Sequence, residues 1–270
     1  MNSPAESLTE QSSSADRRQI ATLDPNDPPW GLPTAIAVWL ASIFLLMSAQ
    51  VVAVSWYALQ QYGAINPRVL VQAIEQDSKA ALVSLIAVVP AHILTLAIAW
   101  AAVTRFGQLP FRAAVGWSWS ERMGPWTSAL LAVALLLLGG AIIKFYGETE
   151  TFLDRVIKSS LAAKIAVAFL AAVTAPLVEE LVYRGILYPA LQRAIGMISA
   201  VLVVSAVFAV VHFAQYKENP AVFVAICILS LSLTLVRATT GKLLPCYFIH
   251  FVFNAIQAVV LLVFNDPLQG

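Results

Sequence analysis

Seven stretches of this chain are apolar for long enough to cross a lipid bilayer: approximately residues 34–58, 80–104, 125–144, 161–192, 197–215, 220–237 and 243–264. A helix needs about 20 apolar residues to span the hydrocarbon. Within it, every backbone N–H and C=O must be satisfied inside the segment or around a closed barrel. Runs of this length fit helices, since a barrel strand needs only about half as many residues. Composition agrees: 60% of the residues are hydrophobic and 11% are charged, against about 25% charged in soluble domains. The expected fold is all-α, a polytopic transmembrane helical bundle of about seven spans. Ahead of the fourth span, residues 151–164 mix Asp154, Arg155, Lys158 and Lys164 with Phe152, Leu153, Val156 and Ile157. That mixture predicts an amphipathic helix lying in the membrane interface.

Three regions follow. Residues 1–30 are polar and rich in Ser, Asp and Pro, with no short apolar run ahead of a small-residue cleavage site. They are expected to be a disordered tail. Residues 31–150 hold the first three spans, separated by polar linkers at 60–79 and 105–125, and residues 151–265 form a helical core. The formal net charge is +1, which gives no ground for a nucleic-acid partner. The implied partners are membrane lipid and a membrane-anchored or membrane-embedded protein or peptide, and the expected location is the plasma (cell) membrane. Basic residues divide almost evenly between the two sets of loops, so sidedness is not indicated. Cys227 and Cys246 lie in apolar segments and read as small core residues. Trp30, Trp39, Trp56, Trp100 and Trp126 fall near span ends, as interfacial anchors do.

The first three spans are nearly pure hydrocarbon, with Gln50 and His92 as polar guests suited to helix packing. The fourth carries charge. It reads Glu179-Glu180-Leu-Val-Tyr-Arg184, and charged groups at membrane depth cost several kcal/mol unless they are used. Glu180 and Arg184 are four residues apart with the acid first, the favourable order for a pair. Glu179 points about 100° away, toward the face that Tyr183 shares, and has no evident cationic partner. Pro176, one turn before Glu180, is expected to disturb the helix. His212 and Glu179 lie equally far on either side of Ile195-Gly196. An antiparallel turn there brings both to one depth, where they can share a water. His250 and Asn254 sit four apart on one face of the last span.

Each element has a plainer reading. The glutamates suit an ion-pair site or a proton relay, His212 an interfacial side chain, and His250 with Asn254 an interhelical hydrogen bond. Together they exceed what helix packing requires.

The three motifs Glu179-Glu180-x-x-x-Arg184, Phe208-x-x-x-His212 and His250-x-x-x-Asn254 resemble those of the CPBP family of intramembrane proteases. That family includes CAAX prenyl endopeptidases and the bacteriocin-processing and immunity ("Abi") proteins. The resemblance covers roughly residues 160–260. It implies an intramembrane endopeptidase in which Glu179 and His212 activate water. It also implies that His250 and Asn254 stabilise the oxyanion and that Glu180 and Arg184 support the site. Tyr183 and Phe208 are candidates to line the substrate. No cofactor is implied; zinc held by Glu and His is the alternative, with no His-Glu-x-x-His and with Asn a poor zinc ligand. The rival functions are a proton-coupled transporter and a non-proteolytic immunity or scaffold protein.

Overall fold

The computed structural model describes residues 23–147 and 149–264. Among these residues there is no sheet, and seven helices are long and apolar enough to cross a membrane. In chain order the helices are α1 Leu32–Tyr62, α2 Pro67–Gln76, α3 Ser78–Thr104, α4 Phe111–Val115, α5 Pro125–Tyr146, α6 Phe152–Ser159, α7 Leu161–Ile195, α8 Met197–Tyr216, α9 Pro220–Thr240 and α10 Leu244–Phe264. The seven spans match those expected; α2 and α4 are short helices inside the two polar linkers.

Local chemistry sets the boundaries. Asp77 Oδ1 accepts the Lys79 N–H at 2.9 Å and starts α3. Asn219 Oδ1 accepts the Val222 N–H at 3.2 Å and starts α9. Thr151 and Asp154 form a capping box that starts α6, satisfying N–H groups that a helix leaves without partners. The amphipathic helix is shorter than expected. Ser160 is extended and caps α7 through the Ala163 N–H, so Lys164 belongs to the fourth span, where it is buried.

α1 packs along α3, α8 against α9, and α5 against both α9 and α10. The main core gathers Val178, Leu181, Val182, Ile186 and Tyr188 of α7 with Val201, Val204 and Phe208 of α8 and Ala99 and Val103 of α3. The outward faces carry large exposed apolar side chains such as Phe44, Ile93, Leu130, Leu137, Ile198 and Val210. An apolar exterior of this kind suits hydrocarbon as solvent. The protein is an integral membrane protein.

Helix α7 is one continuous helical path with two widened turns. Residues Leu170–Thr174 and Glu180–Leu187 are π-helical, with the Ala175 N–H reaching back five residues to Leu170 O and the Tyr188 N–H to Tyr183 O. The first widening runs directly into Pro176. Proline has no N–H to give to the carbonyl four residues back, and its ring crowds that carbonyl. An extra residue in the preceding turn relieves the conflict without breaking the helix. Such turns recur at functional sites, and here Glu179 and Glu180 sit where the second one begins.

Residues 1–22 of the stretch expected to be a disordered tail lie outside the described residues. Residues 23–30 are packed against the bundle. Trp30 is 5% exposed and donates its indole N–H to Ile186 O at 3.1 Å, so it is a core residue of α7's surroundings and no interfacial anchor. Arg237 lies in the last turn of α9 and is 0% exposed.

Candidate active site

The site is built on α7, α8 and α10, with α9 behind it. Glu180 and Arg184 are both fully buried, and Arg184 Nη1 donates to Glu180 Oε1 at 2.9 Å. The rest of the guanidinium is also satisfied. Nε donates to Thr234 Oγ1 at 3.2 Å, and Nη2 to Ser230 Oγ at 2.8 Å and Ser230 O at 3.1 Å. Its face lies 4.6 Å from the centre of the Phe208 ring. These bonds offset part of the cost of burying the pair, while the other carboxylate oxygen, Glu180 Oε2, is buried without a hydrogen-bond partner. Ser230, Thr234 and Arg237 were not singled out from the sequence. Their spacing of four and then three residues on an otherwise apolar helix is the signal that finds them.

Glu180 does more than neutralise Arg184. The same Oε1 lies 2.8 Å from His250 Nδ1. An ionised carboxylate only accepts, so Nδ1 of His250 carries the proton in this contact. His250 Nε2 then faces Glu179, 3.9 Å from its Oε2. On the other side, His212 Nε2 lies 3.8 Å from Glu179 Oε1. His212 Nδ1 donates to Phe208 O at 2.8 Å, which leaves the lone pair of the neutral ring on Nε2, toward Glu179. The equal spacing about Ile195-Gly196 thus brings Glu179 and His212 together, and His250 joins them.

Both separations exceed a direct hydrogen bond. Access is graded. The Glu179 and His212 side chains are 23% and 19% exposed, against 4% for His250 and 0% for Glu180. The open side of the site is therefore the Glu179–His212 side, one turn before α8 ends at Tyr216.

Asn254 shares the helix face of His250, as expected. One N–H of its amide is engaged: Nδ2 donates to Ala171 O at 2.8 Å, in the first widened turn of α7. Tyr183 and Phe208, the candidates to line substrate, are 5% and 2% exposed. They pack edge to face at 5.1 Å, and Phe208 stacks on the His212 ring at 4.4 Å. Their place is the wall that holds His212 and Arg184, because an apolar ring on that face of α8 is drawn into the main core. His92 lies outside the motifs. It is 8% exposed and its Nδ1 is 3.0 Å from Thr174 Oγ1, which ties α3 to the first widened turn. Among the described residues, no group of three or more His, Cys, Asp or Glu side chains has an arrangement that could hold a metal ion.

Residues 161–256 match the family model described as Type II CAAX prenyl endopeptidase Rce1-like. Over these residues, about a third of the chain, the sequence is similar to the CPBP/Rce1-like family. The match runs from the start of α7 past Asn254 and contains all three motifs. No curated protein and no solved structure matches the chain. The family match and the buried glutamate–histidine network together support a glutamate-type intramembrane protease.

Proposed function

We propose that this Rce1-like protein is an endopeptidase that cuts membrane-anchored or membrane-embedded proteins or peptides with a water activated by Glu179. The observation that carries the reading is one carboxylate placed 3.8 and 3.9 Å from two imidazoles, on the accessible side of a buried Glu180–Arg184 pair. Glu179 and His212 Nε2 hold the water and take its proton as its oxygen attacks the scissile carbonyl. The oxyanion receives His250 Nε2–H and the second N–H of Asn254. Since Nδ1 of His250 already donates to Glu180, donation from Nε2 requires the imidazolium. The proton taken from water then passes to the leaving amine, and C–N cleavage completes the hydrolysis.

Substrates are CAAX-type proteins or bacteriocin-like peptides, and the location is the plasma membrane. The test compares chain termini in host membranes carrying the wild-type protein or Glu179→Gln at equal abundance. New termini that vanish with Glu179→Gln are expected. In parallel, an internally quenched farnesylated CAAX peptide and its unprenylated form are offered to the purified protein in vesicles. Identical termini in the two membranes, with no Glu179-dependent cleavage of either peptide, overturn the reading.

A further inference from the structure

Residues 24–30 form a short strap across one end of the bundle, and their backbone is read like a bound peptide. Arg237 Nη2 donates to Pro25 O at 2.7 Å and Nη1 to Asn26 Oδ1 at 2.6 Å. Arg193 Nη1 donates to Pro28 O at 2.8 Å and Nη2 to Trp30 O at 2.9 Å. Arg105 Nη2 donates to Pro29 O at 2.7 Å. Three arginines from the ends of α9, α7 and α3 thus hold four carbonyls of one proline-rich segment. The seat is made by two glycines with positive φ. A Cβ on Gly116 would lie 3.1 Å from Pro25 Cβ and 2.7 Å from Gly241 O, and one on Gly241 would lie 3.0 Å from Asn26 Nδ2.

Arg237 connects this strap to the motif helix. Its Nε reaches Arg184 O at 3.0 Å, in the second widened turn. Two residues on, Ile186 O accepts from Trp30. The turn that carries Glu180 and Arg184 is therefore held on two carbonyls, by a strap residue and by a cation that the strap satisfies. Arg237 is 0% exposed, and among the described residues no carboxylate lies in salt-bridge range of it. Two of its three oxygen partners come from the strap. Without the strap it would keep one oxygen partner, Arg184 O, and the Tyr188 ring 5.7 Å away.

We propose that Arg237 is a positioning residue for the active site and that residues 24–30 are the anchor that sets it. The contacts run from Asn26 to Arg237, to Arg184 O, through the Arg184 side chain to Glu180 and so to His250. The proposal rests on the protease reading for its effect on turnover, but not for its effect on the motif helix.

The test uses the full chain in detergent micelles. Amide hydrogen exchange is followed over residues 180–190, and kcat and KM are measured on the farnesylated CAAX peptide. Arg237→Gln is expected to speed exchange in that segment and lower kcat roughly 10- to 100-fold with KM unchanged, the scale of small misplacements of catalytic groups. Arg237→Lys should recover part of the loss. Asn26→Ala removes one acceptor and leaves every charge in place, so it serves if Arg237→Gln does not fold; it should shift both readouts in the same direction by a smaller factor. Wild-type exchange and kcat in folded Asn26→Ala overturn the proposal, as does a loss that merely tracks the folded fraction. Cleavage retained in Glu179→Gln would instead remove the Glu179-activated mechanism, and the exchange result would still judge the strap.

Discussion

His250 Nδ1 and Glu180 Oε1 are joined at 2.8 Å, at the same oxygen that accepts from Arg184 Nη1 at 2.9 Å. One buried carboxylate therefore both neutralises the guanidinium and fixes the proton and the orientation of the imidazole opposite Glu179. Glu180→Gln keeps the shape and removes the charged acceptor that Arg184 Nη1 and His250 Nδ1 share. Turnover is expected to fall about 100-fold or more, as when the acid orienting a catalytic histidine is amidated. Thermal melting should fall as well, because Arg184 is left as an uncompensated buried charge at a cost of about 3–5 kcal/mol. A variant that melts lower but turns over normally when folded would confine Glu180 to architecture.

Glu179 and His212 act on one water in the proposed mechanism. Glu179→Gln and His212→Ala should each reduce cleavage by roughly 100-fold or more, the scale of general-base catalysis. The double variant should be little worse than either, because groups working as a unit are non-additive. Single-turnover kinetics on the purified variants give the cycle; multiplying losses would show that the two residues act separately.

Asn254 has one amide N–H on Ala171 O and, in the proposed mechanism, offers the other to the oxyanion. Asn254→Ala is expected to raise the barrier by about 3–4 kcal/mol, seen in kcat far more than in KM. Activity should persist after exhaustive treatment with a strong zinc chelator. Metal analysis of the chelated, still active sample is the check. One zinc per chain, with activity lost on removal and restored on return, would make His212 and His250 ligands and would falsify the oxyanion assignment.

Asp77 gives a prediction about stability and pH away from the site. It lies between α2 and α3, where Oδ2 accepts from the Tyr57 and Tyr62 hydroxyls, each at 2.8 Å. Partial burial pushes its carboxyl upward, but the two hydroxyls and the N–H groups of Lys79 and Ala80 outweigh that and hold it below the usual value. A carboxyl depressed on folding stabilises the fold above its unfolded value, about 3.9, and loses that contribution as pH falls through the folded one. Melting curves of wild type and Asp77→Asn, which retains an N-cap side chain, should differ by a constant margin at neutral pH. They should converge in acid. A margin that persists below both values would assign the effect to shape.

Much of this protein was determined by sequence alone, for reasons that are local. A bilayer demands long uninterrupted apolar helices, so the seven spans are legible from hydropathy. The pairing of Glu180 with Arg184 and the common face of His250 and Asn254 follow from helical periodicity. The meeting of Glu179 and His212 follows from equal lengths about one turn. What tertiary structure decided lies across helices. Periodicity cannot say that Ser230 and Thr234 of α9 complete the Arg184 shell, nor that Glu180 reaches His250. Equally, it cannot say that Phe208 turns inward against His212. The widened turns of α7 shift every later side chain around the axis, which an ideal helix does not foresee. Residues 24–30 are polar and proline-rich, and by composition they belong in solvent. They are ordered because three arginines and a glycine-lined seat, contributed by α3, α7, α9 and the loops beside them, come together only after the bundle has formed.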